Sequence, residues 1–189
     1  MNLNYFCPHY IQEITQVSYT KITPSQLLNA FNLGMSKWTA LYGSHIQGDF
    51  LNELIHLLQQ ADFGVINFSI TENQRESIQG IVTSMYEYLN ITLPVDKRFN
   101  YSDFLEVTDL IDEDSAKNNP VVFIIHDAIN LDRTEILPHL AYGLRTVIDK
   151  GSSINSIFLG SSPGALEPLF NNSRKPLYKS ILIHGMSME

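Results

Sequence analysis

Cysteine is almost absent from this sequence, which has Cys7 alone among its 189 residues. An internal disulfide therefore cannot form, and a cysteine-rich zinc site is excluded. Long apolar runs are missing too, since no stretch reaches the roughly 18 consecutive apolar residues of a membrane-spanning helix. The first residues lack the basic start and apolar run of a secretion signal. The sequence therefore predicts a cytoplasmic protein with no membrane insertion.

Basic residues are also scarce. Lysine and arginine number 12 against 20 aspartates and glutamates, which gives a formal net charge of −8. Proteins that bind nucleic acid usually present a basic face, but here the basic residues cluster only loosely, at Arg174, Lys175 and Lys179. The charge balance favours protein partners and makes direct binding of nucleic acid an unfavoured interpretation.

The beginning of the chain is rich in aromatic and branched side chains without a clear period. Such a composition is too apolar for a disordered tail. We expect residues 1–35 to form an N-terminal extension that packs on the core, and residues 36–189 to form one α/β domain. The sequence does not decide whether the extension is an internal packing element or a docking surface.

Short apolar runs alternate with amphipathic segments through the rest of the chain. This alternation predicts a three-layer α/β sandwich with a mostly parallel, five-stranded sheet covered on both faces. The predicted strands are residues 38–42, 64–70, 121–125, 154–159 and 180–184. The predicted helices are residues 24–33, 49–60 and 71–89, a segment after 102, a segment that starts at or before Pro138 and ends near 149, and residues 163–170.

The run from Val121 to Ile125 predicts the central strand, because it is apolar without interruption and mostly β-branched. His126 and Asp127 follow it directly, at the kind of strand end where open α/β sheets bind ligands. Adjacent strand residues point to opposite faces, so this pair converges on one ion only if the strand ends between them. The other histidines have structural roles by default, although the inferred fold brings His45 close to His126.

Several segments occur in the order of a known family. Residues 41–50 join the first strand to a helix and contain Gly43 and Gly48, residues 122–127 form the buried strand, and Ser161 follows the fourth strand. This order resembles a P-loop NTPase core of the AAA and STAND ATPase kind over roughly residues 36–186. The resemblance implies a phosphate loop at 43–50, a Walker B strand at 122–127 and a sensor position at Ser161. Residues 176–179 are similar to a short segment before the last strand of some archaeal and STAND-type ATPases.

The phosphate-loop pattern G-x-x-x-x-G-K-[ST] is kept only in its glycines. Asp49 stands at the lysine position and Phe50 at the hydroxyl position. Unit charges about 4 Å apart interact by roughly 4 kcal/mol at an effective dielectric near 20, which exceeds the ~0.3–1 kcal/mol that a helix N-terminus offers an anion. Magnesium-ATP in the usual pose is therefore disfavoured. The alternative interpretation is that Gly43 and Gly48 are turn residues and Asp49 is a helix N-cap.

The Walker B position is altered as well. The pair of acids is replaced by His126 and Asp127, or by Asp127 and Ala128 if the register is read one residue later, and one carboxylate is missing either way. The resemblance thus implies a degenerate ATPase without a cofactor or metal site. The leading hypothesis is a nucleotide-hydrolysis-incompetent, protein-binding or scaffold subunit of a larger, prokaryotic assembly. Its expected partner is an ATPase or a multi-subunit complex, and enzymatic activity is not the favoured interpretation.

Two alternative hypotheses keep a catalytic or nucleotide-binding role for this chain. Residues 160–164 match the G-x-S-x-G pattern of serine hydrolases, with Ser162 as nucleophile and His184 as base. Glu167 would be a poor third member, because it lies one turn into the helix that the serine opens; Ser162 also suits a simple helix cap before Pro163. The second alternative is a divergent nucleotide binder that uses the Gly43 to Gly48 backbone with Lys175 or Lys179.

Overall fold

In a computed structural model of the protein, the described residues are 22–34, 38–43, 46–94, 96–133, 138–150, 153–178 and 182–185. The first described helix, α1 (Pro24–Asn32), starts with a capping box. The Thr23 hydroxyl accepts the Gln26 backbone N–H at 3.2 Å, and Gln26 Oε1 accepts the Thr23 backbone N–H at 2.9 Å. The reciprocal bonds satisfy two N–H groups that a helix start leaves open, which confirms the predicted start of this helix.

Strands and helices alternate along the rest of the chain, in the predicted order. The strands are β1 (Trp38–Tyr42), β2 (Gly64–Ser69), β3 (Val121–His126), β4 (Asn155–Gly160) and β5 (Leu182–Gly185). The remaining helices are α2 (Leu51–Gln60), α3 (Gln74–Tyr88), α4 (Tyr101–Lys117), α5 (Asn130–Arg133), α6 (Pro138–Asp149) and α7 (Pro163–Asn171).

The strands form one sheet in the order β2-β3-β4-β1-β5, and every described pairing is parallel. Side chains are described for β1 to β4, whereas β5 is described by its backbone alone. Parallel neighbours need crossover connections, and helices supply them here. The predicted α/β class with a parallel sheet is confirmed.

Both faces of the sheet are covered, because alternate strand residues point to opposite sides. On one side, which we call the α2 face, strand residues such as Leu41 and Ile124 pack against α1 and α2. On the other, the α7 face, residues such as Phe123 and Phe158 pack against α3, α4, α6 and α7. The result is a helix–sheet–helix arrangement in three layers.

Two details depart from the sequence prediction. Helix α3 is capped by Asn73, whose side chain accepts the Arg75 N–H at 3.0 Å, so a start at Thr71 is wrong. Thr71 instead lies in a turn where its backbone N–H donates to the Ser77 hydroxyl at 2.9 Å. The short helix α5, directly after β3, was not expected from the sequence. The helix after it begins at Pro138, one of the predicted starts.

The predicted N-terminal extension is described only from residue 22 onward. Its helix α1 packs on α2 through Leu27 and Phe31, which are buried in the core of the α2 face. Residues 1–21 lie outside the described part of the chain, and the division at residue 35 stays a prediction. Among the described helices, none is long and apolar enough to cross a membrane.

Candidate functional site

The carboxyl ends of the parallel strands meet at one edge of the sheet. The chain leaves β1 into α2 on the α2 face, and it leaves the neighbouring strand β4 into α7 on the α7 face. Adjacent strands whose connections diverge in this way open a crevice, which is where open α/β sheets bind ligands. The described residues of the predicted phosphate loop, the end of the Walker B strand and the sensor position come at or after the ends of β1, β3 and β4, at this same edge of the sheet.

The loop after β1 starts with Gly43, whose φ of 152° is one that residues with a side chain rarely adopt. Its backbone N–H donates to the carbonyl of Gly160 at 3.2 Å, so the ends of β1 and β4 are joined. Ser44 and His45 lie outside the described residues, and the expected proximity of His45 to His126 stays a prediction. The backbone of the crevice is therefore built from glycine on both adjoining strands.

An irregular helical turn, Ile46–Phe50, connects this loop to α2. Gly48 interrupts it with φ −106° and ψ −125°, and no heavy atom lies within 4 Å of where its Cβ would be. Asp49, at the lysine position of the phosphate-loop pattern, is exposed. A carboxylate is therefore presented to solvent at the start of the helix that would face a phosphate.

Phe50, at the hydroxyl position, is half-buried and packs against the core of the α2 face. It is also the N-cap residue of α2, with helical φ −60° and ψ −49° and no side-chain capping bond. The interpretation of Asp49 as the N-cap is therefore wrong, because the turn before α2 is already helical and moves the cap one residue along. The position that binds magnesium in the family pattern holds an aromatic ring that packs inward.

The structure settles the register at the end of β3. Val122 and Ile124 pack on the α2 face, and the alternation of the strand places His126 on that face too. His126 is in register with Ser69 of β2 and is half-buried. Burial lowers the pKa of the His126 imidazole, and the charge of Asp127 partly opposes that shift. A histidine thus occupies the strand position that faces the phosphate-loop helix.

Asp127 lies just beyond the end of β3. It is exposed and has a φ of 52°, a left-handed conformation that aspartate tolerates better than most residues. Its carbonyl accepts the Asn130 N–H at 2.9 Å, which turns the chain into α5. The Asn130 side chain donates to the carbonyl of Ile70 at 2.7 Å and joins the ends of β2 and β3. His126 therefore lies half-buried at the end of β3, whereas Asp127 lies exposed in the turn that follows.

A contact that the sequence did not predict joins α5 to the segment after α7. Lys175 Nζ lies 2.6 Å from Asp132 Oδ1, an oxygen that is itself removed from solvent. The distance is that of an ion pair, although the contact lacks the alignment of a hydrogen bond. The two residues are far apart in the sequence, so no local pattern could have indicated the pair. Lys175 is therefore already paired, and Lys179 lies outside the described residues.

Ser161 and Ser162 are both exposed after β4. Ser162 is the N-cap residue of α7, with φ −155° and ψ 163°, which is relaxed extended backbone. A nucleophile elbow, in contrast, holds its serine on a sharp, strained turn. The backbone of His184 lies in β5, in register with Leu41 of β1; its side chain is outside the described part. Ser162 as a nucleophile and His184 as its base stay predictions.

Metal ligands are not gathered anywhere in the part of the chain that the structure describes. No group of three or more histidine, cysteine, aspartate or glutamate side chains there is arranged to hold an ion. The exposed acids at the crevice, Asp49 and Asp127, belong to different strand ends. What the described crevice offers is a glycine backbone, serine hydroxyls, one half-buried imidazole and negative charge.

Comparison with known proteins gave fold relatives only. No protein-family model matches the chain, and no curated protein matches it. Among solved structures, a Walker-type ATPase of Pyrococcus abyssi matches with a TM-score of 0.61 and 14% identity, over 85% of this chain and 51% of that one. The ORC2 protein of Aeropyrum pernix, solved as its ADPNP–ADP complexes, matches with a TM-score of 0.58 and 14% identity, over 86% and 45%.

The ORC1 protein of Aeropyrum pernix, solved in complex with DNA, matches with a TM-score of 0.53 and 11% identity, over 90% of this chain and 47% of that one. The chain thus spans about half the length of the solved structures it resembles. The chain shares its fold with this Walker-type ATPase and with these ORC proteins, in agreement with the resemblance drawn from the sequence. At these identities the likeness extends to the fold alone.

Proposed function

We propose that this chain is a P-loop ATPase-like domain that does not hydrolyse nucleotide and that serves as a protein-binding or scaffold subunit of a larger assembly. The observation that carries the proposal is Asp49, an exposed carboxylate at the lysine position of the phosphate loop. The ORC2 neighbour holds ADPNP and ADP, so the fold itself is compatible with nucleotide. What distinguishes this chain is the chemistry of its loop.

The electrostatics of the loop argue against a bound triphosphate. A lysine at this position attracts the β and γ phosphates, and an aspartate reverses the sign of that interaction. At about 4 Å the reversed term ranges from roughly 1 kcal/mol per charge pair in water to roughly 4 kcal/mol near a protein surface. The N-terminus of α2 stabilises a bound anion by only ~0.3–1 kcal/mol. Repulsion therefore exceeds what the helix supplies.

The Walker B strand adds a second argument. In the family pattern, carboxylates at the end of this strand hold magnesium and activate water. Here the residue on the α2 face is His126, and burial disfavours its protonated form. A neutral imidazole does not supply the oxygen ligands that Mg²⁺ prefers. Asp127 lies exposed in the turn that leads to α5.

The charge of the chain favours protein over nucleic acid as a partner. The ORC1 neighbour was solved with DNA, but DNA binding draws its affinity from cations that neutralise phosphates. This chain has a formal charge of −8, and Lys175 of its loose basic cluster is paired with Asp132. The partner of this chain is therefore a protein. The proposed assembly is cytoplasmic and prokaryotic.

A calorimetric titration with magnesium-ATP tests the proposal. We expect no binding in the micromolar range by the native chain, and micromolar affinity would overturn the idea of a degenerate ATPase. The variant Asp49→Lys should improve any residual binding, and Asp49→Lys with Phe50→Thr should improve it further. Glu53→Lys is the matched control, since it makes the same charge change at an exposed position of the first turn of α2.

The scaffold part of the proposal has its own measurement. The native chain, purified from its own cells under mild conditions, should carry a partner protein in a fixed ratio. Recovery of the chain alone, as a monomer that turns over no nucleotide, would contradict a role in an assembly. The two experiments are therefore independent: one can contradict the absence of nucleotide binding, and the other can contradict the role in an assembly.

A further inference from the structure

Helix α7 contains a proline, Pro168, in its interior. Proline has no backbone N–H, so the carbonyl of Gly164, four residues earlier, lacks the donor that a regular α-helix would give it. The carbonyls of the last helical turn lack such donors as well. In α1 to α4, the residue that ends the helix donates its N–H back to that turn, whereas Asn172 after α7 makes no such bond among the described residues. Helix α7 therefore keeps backbone acceptors that it does not itself satisfy.

An open pocket of about 490 Å³ lies beside this part of α7, and we call it the α7 pocket. Its first four lining residues are spaced so that they share one side of the helix, and the last two belong to the turn that follows. In that turn, Asn172 Oδ1 accepts the backbone N–H of Arg174 at 3.0 Å. The lining residues are Gly164, Glu167, Pro168, Asn171, Asn172 and Ser173.

Oxygen acceptors are prominent in the α7 pocket. Glu167, which is half-buried, contributes a carboxylate, the two asparagines contribute amide oxygens and Ser173 contributes a hydroxyl. Glu167 is the only charged residue of the lining, and no described residue forms an ion pair with it. The C-terminus of a helix adds partial negative charge. The pocket is therefore complementary to a cation.

The size of the pocket favours an organic cation over a bare metal ion. A hard metal ion needs several oxygen ligands that converge on one point at roughly 2.3–2.6 Å, and the lining supplies a single carboxylate in an open space of about 490 Å³. A guanidinium group is planar, stays charged and carries five N–H donors in a fixed fork that suits a carboxylate. An ammonium group is a compact point charge with three donors. Guanidinium is therefore the cation that matches acceptors spread over the pocket wall.

We propose that the α7 pocket binds the guanidinium group of an arginine side chain on a partner protein. Glu167 accepts the fork of N–H groups, and the carbonyl of Gly164 and the side chains of Asn171 and Ser173 accept the remaining donors. Free arginine carries the same group, so the experiment includes both sources. The choice of a partner as the source rests on the proposed protein-binding function, whereas the pocket itself does not.

The test uses the full chain, labelled with ¹⁵N, and N-acetyl-arginine amide, in which both termini are blocked. We expect binding in about the millimolar range, as for a ligand of this size, with shifts of the backbone amides of Glu167 and of residues 171–173. The citrulline compound of the same shape carries a neutral urea group and should bind at least about tenfold more weakly. Equal shifts by the two compounds, or shifts confined to other parts of the chain, would overturn the proposal.

Two variants remove the acceptors one at a time. Glu167→Gln should weaken binding of the blocked arginine about tenfold, because it removes the charge and keeps the size of the side chain. Glu53→Gln is the matched control, since Glu53 is exposed on α2 at the opposite face of the sheet, and it should bind as the native chain does. Pro168→Ala restores a donor for the Gly164 carbonyl and should weaken binding about threefold. Unchanged affinity in both pocket variants would refute the site.

Further titrations distinguish other occupants of the α7 pocket. Calcium chloride that shifts the same amides at a lower concentration than the blocked arginine would assign the pocket to a metal ion. Free L-arginine that binds at least about tenfold tighter than the blocked compound would assign it to the free amino acid. Arg174 is exposed next to the pocket, and tighter binding by Arg174→Gln of about tenfold or more would assign it to that side chain. Each of these results overturns the proposal.

The pocket and the proposed function fail separately. Absence of arginine binding, with capture of a partner protein retained, would remove the α7 pocket alone. Micromolar binding of magnesium-ATP, with the arginine titration as expected, would remove the degenerate ATPase and leave the pocket in place.

Discussion

The backbone N–H of Gly43 donates to the carbonyl of Gly160 at 3.2 Å, and this bond joins β1 to β4 at the point where the chain leaves them for opposite faces of the sheet. Both partners are glycines in the sequence patterns that suggested chemistry, the phosphate loop for Gly43 and the hydrolase elbow for Gly160. In the structure, backbone conformation explains why glycine occupies position 43, and close packing against Leu166 explains why it occupies position 160. Neither explanation requires a catalytic or binding role.

Gly160→Ala should destabilise the protein. A Cβ at this position would lie 2.6 Å from Cγ of the buried Leu166, and overpacking of this kind costs about 1–3 kcal/mol. Gly164→Ala is the matched control in the same G-x-S-x-G segment, because nothing lies within 4 Å of its Cβ position. Urea unfolding should show a lower midpoint for the first variant and a midpoint equal to or above the native one for the second. Equal effects would contradict the packing argument.

Two glycines inside helices should respond in opposite directions to the same substitution. Gly80 of α3 has open space around its Cβ position, so Gly80→Ala should stabilise the chain by about 0.5–1 kcal/mol. The Cβ of Gly143→Ala would lie 2.7 Å from Phe104 and 2.8 Å from Tyr101, and that variant should lose about 1–3 kcal/mol. Thermal melting of both variants measures the difference, and stabilisation by Gly143→Ala would show that α4 and α6 pack more loosely than described.

Lys175→Met should destabilise the protein, because it leaves Asp132 Oδ1 buried without its cationic partner. An unsatisfied polar group costs about 1–3 kcal/mol, and the pair is partly exposed, at 36% and 24%, which favours the lower part of that range. The control is Lys117→Met, whose exposed pair with Glu113 at 3.9 Å should contribute less than about 0.5 kcal/mol. Adding Asp132→Asn should recover part of the loss; no recovery would mean that the effect is not electrostatic.

Much of the fold could be predicted because local signals agreed with the final packing. The predicted strand at residues 38–42 matches β1, and the capping box at Thr23 and Gln26 forms as expected. Pro138 and Pro163 begin helices, since proline is pre-organised for a first helical turn. The apolar run from Val121 forms a fully buried strand. Each of these signals depends on neighbours in the sequence.

The rest depended on contacts between distant residues. The end of β3 was ambiguous by one residue, and only its pairing with β2 placed His126 on the α2 face. Helix α5 is too short for a periodic pattern, and it is held by the Asn130 bond to Ile70. The pair of Lys175 and Asp132 joins segments that no motif connects. Packing of Phe50 likewise became visible only with α2 in place.

Ser162 should not react with a fluorophosphonate probe. Its backbone is extended, with φ −155° and ψ 163°, and it lies at an ordinary helix start followed by Pro163. Reactive serines need a base within hydrogen-bond reach. Labelling of the folded chain, compared with Ser162→Ala and with the neighbouring control Ser161→Ala, provides the measurement. Labelling that disappears only in Ser162→Ala would revive the hydrolase interpretation.

His126 should make the protein less stable as the pH falls. Burial lowers the pKa of its imidazole below the usual value of 6.5. Between the lowered pKa and the ordinary one, the unfolded chain therefore binds a proton that the folded chain does not, and the free energy of unfolding falls on acidification by at most about 1.4 kcal/mol per pH unit. Urea midpoints at about pH 7.5 and 5.5 should separate more for the native chain than for His126→Asn.

His56→Asn is the control for that measurement, because His56 is exposed on α2 and bonds only to the neighbouring Gln60 side chain in the described structure. If His126→Asn shows the same dependence on pH as the native chain, the imidazole of His126 is open to solvent and free to carry a proton. A charged imidazole on the α2 face would then lie on the side of the phosphate-loop helix, where a cation could attract the phosphates that Asp49 repels. The pH dependence of this one histidine therefore bears directly on whether the crevice has lost its affinity for nucleotide.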